Sequence, residues 1–531
     1  MREPQQPGES ALDSGRAATR VEFAIGLILV AAAGLAYTAY YAHMFGIPFA
    51  DTYTYLDPWR NWMQGRGFVT RFNVVHGWSG QLDHPALAYY NPLFGLPLAL
   101  AWSRFEPAWV AVIMTALPCC ANAVLLAVLV QPAFGTLTAL LSAAGYLLMP
   151  ATAHNLVLIS VDPAAVTVLL VCLIVIQYRT ATQPRAWTFV GIMLGLAYLC
   201  KVTLVLAIPG LIAAIVLSQA AGWRQAVRAS VQPIALLLTG LTVVVLPYIT
   251  VARLATGEFY PSYPAMAQNW SLATTYGGRY VHASPAVRPD AERVPDLARR
   301  VLIVLQNIGA MLRATAGDLG PLLLFIVAGI RTVDRSAKRL AIFLVSVGAS
   351  FAAGHALAFN WISVVSEPRY GIYISPFWYP VAIWGLVRTL GAEARAWRAL
   401  AVVACWLLAS GITVLSDPES FWRAPQLADP RSVRLRHTMD GVAGLVGPDD
   451  LVAVQGGGLL ISAAVFLERP VVSLPEGVMA THEALREFLG VFQPALVVPA
   501  QTQDNFRRLE TLGYAPRRVN DGRLMVFVRT P

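Results

Sequence analysis

The chain has 531 residues, of which 56% are hydrophobic and 13% charged, against roughly 25% charged in an ordinary soluble domain. That excludes a wholly soluble enzyme, because apolar runs recur with the length of about 20 residues that crossing a hydrocarbon core requires. The net charge of +9 does not point to nucleic acid, since the basic residues fall in short clusters between apolar runs rather than on one face.

Residues 1–20 form a polar tail. The apolar run that follows has no small-residue cleavage site and reads as an uncleaved anchor rather than a signal peptide. In chain order, the runs 21–42, 109–130, 132–149, 163–178, 187–200, 202–217, 233–252, 321–330, 340–359, 372–387 and 400–415 are expected to span the membrane, giving about eleven transmembrane helices.

Arg and Lys in short loops mark the cytoplasmic side. Arg2, Arg16 and Arg20 fall there, followed by Arg179 and Arg185, Arg224 and Arg228, then Arg331, Arg335, Lys338 and Arg339, and last Arg388, Arg395 and Arg398. All lie inside if the N-terminus is cytoplasmic and the C-terminus outside. The segments 44–108, 256–320 and 416–531 then lie on the extracytoplasmic face.

The run 89–102 is apolar but short, and is broken by Pro92 and Pro97. Counting it as a twelfth span would set every later loop against the charge bias, so it is assigned to an interfacial or re-entrant helix on the outer face. The stretch 300–313 has helical apolar spacing and flanking arginines, and also suits the outer interface.

From residue 416 the composition is that of a soluble domain of about 110 residues, enough for one core. Apolar runs at 451–454, 471–474 and 495–498 alternate there with helix-like stretches at 482–489 and 505–512, an α/β pattern. Gly456-Gly457-Gly458 lacks the dinucleotide-binding spacing and reads as a tight strand-to-helix turn. The five cysteines lie in or beside apolar runs without metal or disulfide spacing.

Ionisable residues at membrane boundaries are the first candidates for chemistry, because they are costly to place there. Asp51 follows the first span, and Asp162 opens the run 163–178 ahead of Pro163. Each also has a plainer reading: a loop acid or helix cap for Asp51, an N-cap for Asp162. The topology puts both on one face, where two carboxylates can activate a hydroxyl or hold a divalent cation. Lys201 is one of only two lysines and reads either as a snorkelling boundary residue or as a receiver of a phosphate head group. Arg369, beside Tyr370, has a guanidinium that can grip phosphate oxygens. His84 shares the first outer loop with Asp51.

Together these residues carry a family resemblance. Asp51-x-x-x-Tyr55 precedes a Gly-x-Gly turn, followed by Tyr89-Tyr-Asn-Pro-Leu-Phe94, Asp162, Gly195-Leu-Ala-Tyr-Leu-Cys-Lys201 and Arg369-Tyr370. Over roughly residues 20–390 the chain resembles the GT-C glycosyltransferases, and among them the protein O-mannosyltransferases and lipid A aminoarabinose transferases. It departs from them in having Asp51-Thr52 and Asp83-His-Pro-Ala86 where members often show an acidic pair or a Lys-Pro-Pro-type motif.

The resemblance implies a GT-C-like transmembrane catalytic domain over 21–415, followed by the C-terminal extracytoplasmic α/β domain that composition and topology assign to 416–531. It implies an inverting transferase of the bacterial cytoplasmic (inner) membrane that uses a polyprenyl-phosphate sugar donor and an envelope lipid, glycan or protein acceptor. In that scheme Asp51 is the base and Asp162 the second acid. Lys201 and Arg369, with Tyr370 and Arg279, serve the lipid phosphate, while Tyr55 and His84 are auxiliary or acceptor-side residues. A divalent cation is an open option. The rival class is a transporter or flippase of lipid-linked sugars, for which mid-membrane charges and a twofold repeat are the expected marks; neither is evident. A catalytically inactive scaffold is a third reading.

Overall fold

The computed structural model describes residues 9–45, 50–70, 72–73, 84–85, 92–180, 183–219, 222–256, 297–358, 368–390, 439–455, 467, 469–474, 476–479, 481–519 and 524–530. Its first part is mainly helical. Helix α1 spans Glu9–Phe45, α2 Ala50–Met63 and α3 Pro92–Trp102; α4, Pro107–Ala111, continues through a π turn, Val112–Ala116, into α5, Leu117–Leu148. Then come α6 (Pro150–Leu156), α7 (Asp162–Tyr178), α8 (Ala186–Cys200), a 3-10 turn (Val202–Leu206), α9 (Ala207–Leu217) and α10 (Trp223–Thr256). After it lie α11 (Leu297–Leu319), a 3-10 turn (Gly320–Leu324), α12 (Phe325–Thr332), α13 (Arg335–Ala358), a 3-10 turn (Pro368–Tyr373) and α14 (Ser375–Leu390).

Among the described residues, five helical stretches are long and apolar enough to cross a membrane: Arg20–Met44, Pro107–Leu148, Trp223–Leu254, Arg300–Thr332 and Ala337–Leu357. Shorter apolar helices, among them α7 and α8, lie between them. The exposed faces of α1 and α10 carry Ile25, Ile28 and Leu29, and Val243, Leu246 and Leu254, side chains that lipid rather than water must cover. The chain is a polytopic α-helical membrane protein.

Helices in lipid gain little from hydrophobic exclusion, so close backbone approach matters. Gly191 of α8 and Gly240 of α10 meet the facing backbone so tightly that a Cβ on either would collide with Leu237 O or Thr188 O. Gly329 and Gly385 bring α12 and α14 together in the same way.

The expected spans 109–130 and 132–149 are two helical segments, but the break between them falls at Gly135 rather than just before Pro132. Gly135 has φ +83°, a conformation that glycine takes without steric cost. Pro132 sits inside the helical run just before this break. Helix α3, at 11 residues, is about 16 Å long, short of the hydrocarbon thickness. It packs on α2 through Gly95, whose missing Cβ makes room for the Tyr55 carbonyl and the Trp59 ring. The Trp59 indole N–H donates to Pro92 O at 2.7 Å. The expected span 400–415 lies outside the described residues.

The second part is a six-stranded sheet. Strands β1 (Val69–Thr70) and β3 (His84–Pro85) pair with each other between α2 and α3; β2 (Phe72–Asn73), β4 (Val452–Val454), β5 (Val471–Ser473), β6 (Leu496–Val498), β7 (Tyr514–Val519) and β8 (Leu524–Arg529) form the larger sheet, in the order β2-β5-β4-β6-β8-β7. The first four strands of that order run parallel, and β8 and β7 antiparallel.

Strand alternation divides the sheet's two faces. Val452, Val454, Leu496 and Val498 belong to one cluster, while Ala453, Val497 and Phe527 join the other under helices α16 (His482–Phe492) and α17 (Gln503–Thr511). A four-residue helix, α15 (Glu476–Met479), precedes these. Thr481 and Thr502 cap α16 and α17, accepting from Ala484 N at 3.2 Å and Asn505 N at 3.3 Å.

The expected α/β pattern is present, but its edge strand is not C-terminal. β2, from between α2 and α3, adds to β5 with Phe72 opposite Val471 and Asn73 opposite Val472. Trp102, at the end of α3, packs against the cluster around Met439 and Val442. The segment between α2 and α3 and the C-terminal sheet are thus in contact.

Candidate functional site

The site begins with a short stretch of buried non-helical chain. Between α6 and α7, residues 157–161 leave the helix, freeing carbonyls that cannot stay unpaired away from water. Two threonines from elsewhere take them up. Thr52 Oγ1 donates to Ile159 O at 2.8 Å and Thr115 Oγ1 to Leu158 O at 3.2 Å. Thr52 is fully buried and stands one residue after Asp51 in the first turn of α2. The backbone of Asp51 is thereby tied to the segment that leads into Asp162.

Asp162 opens α7 as expected, yet its side chain is not a cap. Val161 holds the N-cap position without a side-chain bond, and Ser160 Oγ accepts from the Asp162 N–H at 3.1 Å. The carboxylate, fully buried, faces across the bundle instead. Its Oδ1 lies 2.5 Å from Lys201 Nζ and accepts from the Tyr373 hydroxyl at 2.6 Å. Asn122 on α5 fixes the same helix start, donating to Pro163 O at 2.8 Å and to the Tyr146 hydroxyl at 2.9 Å, while Thr167 Oγ1 donates to Asn122 Oδ1 at 2.7 Å.

Lys201 ends α8 as its C-cap, where a cation meets the negative end of the helix dipole. It does not snorkel: only 6% of its surface is exposed. A buried ion pair of this kind is stable only when further hydrogen bonds surround it, and the Tyr373 hydroxyl supplies one.

A narrow recess with room for about one water molecule lies beside this pair, lined by Thr203, Met311, Phe351, His355, Tyr370 and Tyr373. Phe351 stacks on Tyr373 at 5.0 Å between ring centroids, and His355 meets the Tyr370 ring at 4.4 Å. The recess thus has aromatic walls beside a few polar groups. Tyr55 on α2 lies within electrostatic reach of the Tyr373 hydroxyl and sets its ring edge-on to Phe94 at 5.6 Å.

Of the residues singled out in the sequence, Asp162, Lys201, Tyr370 and Tyr55 thus converge on one place. The backbone of Asp51 is anchored beside it, and that of Arg369 lies in the 3-10 turn that carries Tyr370 and Tyr373. His84 belongs to β3, with Thr70 opposite. Arg279 lies outside the described residues. Among the described residues, no group of three or more His, Cys, Asp or Glu side chains is placed to hold a metal ion.

The sequence reading passes over Tyr373, Asn122, His355 and Asp318. Asp318 shares the grammar that drew attention to Asp162, an acid just ahead of a proline that opens an apolar run, here Asp318-Leu-Gly-Pro321.

A family model described as dolichyl-phosphate-mannose-protein mannosyltransferase matches residues 83–249, a stretch that holds Asp162 and Lys201. No curated protein matches the chain by sequence. Among solved structures, ArnT from Cupriavidus metallidurans bound to undecaprenyl phosphate superposes with a TM-score of 0.59 at 15% identity, over 95% of this chain and 99% of that one. The apo state of the same protein gives 0.54 at 16% identity, over 95% and 98%. An Archaeoglobus fulgidus oligosaccharyltransferase tethered to an acceptor peptide gives 0.46 at 13%, over 94% and 74%. The chain has the GT-C glycosyltransferase fold, and its residues 83–249 match a mannosyltransferase family within that superfamily.

Proposed function

We propose that this chain is a membrane glycosyltransferase that moves a sugar from a polyprenyl-phosphate donor to a hydroxyl-bearing acceptor of the cell envelope. The observation that carries the reading is the buried Asp162–Lys201–Tyr373 cluster, set beside an aromatic recess and tied through Thr52 to the helix turn that bears Asp51. The matched family and ArnT are named for, or bound to, polyprenyl-type phosphates, which supports a donor of that class here.

The reaction is an inverting displacement. The acceptor hydroxyl attacks the anomeric carbon, the bond from that carbon to the phosphate oxygen breaks, and the phosphate leaves with the electron pair. Asp51 takes the hydroxyl proton; a positioned carboxylate of this kind contributes about 10²- to 10⁴-fold. Developing negative charge on the phosphate is met by cations, the role of Arg369 and of Arg279. Lys201 is held by Asp162, so its charge reaches the phosphate only if that pair opens or shares the proton-donating Tyr373. The fold is read with eleven spans, the N-terminus cytoplasmic, and the site and C-terminal sheet on the outer face, where an envelope acceptor is available.

The test is transfer of radiolabelled sugar from a panel of polyprenyl-phosphate donors to envelope extracts by the purified protein. Transfer from at least one donor is expected. Consumption of none, together with labelled lipid crossing proteoliposomes, would make the chain a transporter instead.

A further inference from the structure

Asp318, in the last turn of α11, has 1% of its surface exposed and joins three other elements. Its Oδ1 accepts from the backbone N–H of Ala151, in the first turn of α6, at 3.0 Å. That N–H has no partner within its own helix, as at every helix start. Its Oδ2 accepts from Ser375 Oγ, at the start of α14, at 2.6 Å, and its backbone carbonyl accepts from the Tyr379 hydroxyl at 2.7 Å.

Between these contacts lies Gly371. A Cβ there would overlap Asp318 Oδ2 and crowd Ala151 Cβ at 3.1 Å, so the carboxylate rests directly against the backbone of the 3-10 turn Pro368–Tyr373. That turn carries Arg369, presents Tyr370 to the recess, and ends two residues beyond Gly371 with the hydroxyl that bonds Asp162.

We propose that Asp318 is a positioning residue for the transferase site: it grips the 3-10 turn at Gly371 and so sets where Tyr373 meets Asp162 and where Tyr370 faces the recess. It touches neither sugar nor phosphate and acts through the turn. The role of the turn in transfer rests on the glycosyltransferase reading, whereas the grip itself does not. An amide at this position keeps the bond from Ala151 and can donate to Ser375, whose hydroxyl rotates to accept; alanine keeps neither. Gly371→Ala leaves the carboxylate in place but pushes the turn away from it.

The experiment compares wild type with D318N, D318A, G371A and Y373F in lipid nanodiscs by two readouts. Amide hydrogen exchange across 371–374 is expected to rise at least tenfold in D318A and G371A and to stay within threefold of wild type in D318N, with α8 unchanged in all. Wild-type exchange of 371–374 in D318A and G371A would overturn the proposal, and so would an equal rise in α8, the mark of a general loss of packing. In the transfer assay D318A is expected to lower kcat at least tenfold with the donor KM within threefold. The double variant D318A/Y373F is expected to be within twofold of the slower single variant, because both act on the same Asp162 contact. Multiplicative losses would overturn it. If wild type transfers sugar from no donor, the glycosyltransferase reading falls while the exchange result still decides whether Asp318 holds the turn.

Discussion

The Tyr373 hydroxyl meets the Asp162 carboxylate at 2.6 Å although 211 positions separate them along the chain. Lys201 completes the contact from a third element at 2.5 Å. An acid, a base and a phenol drawn together inside a helical bundle must be satisfied by one another, since lipid offers no replacement for water.

Removing one member of the ion pair leaves the other charged and buried. Lys201→Met is therefore expected to destabilise the protein by about 3–5 kcal/mol. Adding Asp162→Asn should return much of that loss, so that the double variant unfolds closer to wild type than the sum of the single variants. Thermal unfolding in detergent for the two single variants and the double variant measures this coupling directly.

Thr52→Val keeps the shape of the side chain and removes the donor to Ile159 O. Leaving that carbonyl without its partner is expected to cost about 1–3 kcal/mol. The loss should also lower kcat more than it raises the donor KM, because the same bond ties the Asp51 turn to the Asp162 segment. Steady-state transfer kinetics alongside a melting curve separate the two effects.

The helix starts and stops around the site were largely legible. Asp162-Pro163 opens α7 and Lys201 closes α8 where proline and boundary charge indicate, because these are local effects of backbone geometry. What the sequence does not express is the partner of each charge. Asp162 reads as a helix cap because capping is the local option, and nothing local reveals that Tyr373 and Lys201 will compete for its oxygens. Asp318 escapes notice for a related reason: it lies at the end of a stretch whose amphipathic pattern suits an interface, and only the tertiary contact with Gly371 distinguishes it. The strand Phe72–Asn73 is too short to show a period at all, and its place in the sheet is decided by β5, about 400 residues away.

That strand joins the segment between α2 and α3 to the C-terminal sheet. Val472→Pro removes a backbone donor from β5, which lies between β2 and β4, and proline is poorly tolerated in an interior strand. Transfer is expected to fall at least tenfold although the Asp162–Lys201–Tyr373 cluster is intact. Limited proteolysis should find the 64–91 loop cut faster than in wild type. Unchanged transfer would make the sheet an appendage rather than a support for the first loop.

Close helix approach gives a further expectation. Gly191→Val places a branched side chain against the backbone of α10, where there is no room even for a methyl group. A loss of more than about 2 kcal/mol is expected, in the range of overpacked cores. Gly309→Val, at a position with open space around it, serves as the control and should melt within a few degrees of wild type.

The most direct test of the account is the rate of sugar transfer from a polyprenyl-phosphate donor by wild type and by Asp51→Asn, with donor binding measured in parallel. A fall in kcat of about 10²-fold or more with donor affinity preserved is the predicted result. Transfer by the asparagine variant at the wild-type rate would contradict the assignment of Asp51 as the base and move the proton transfer to another group.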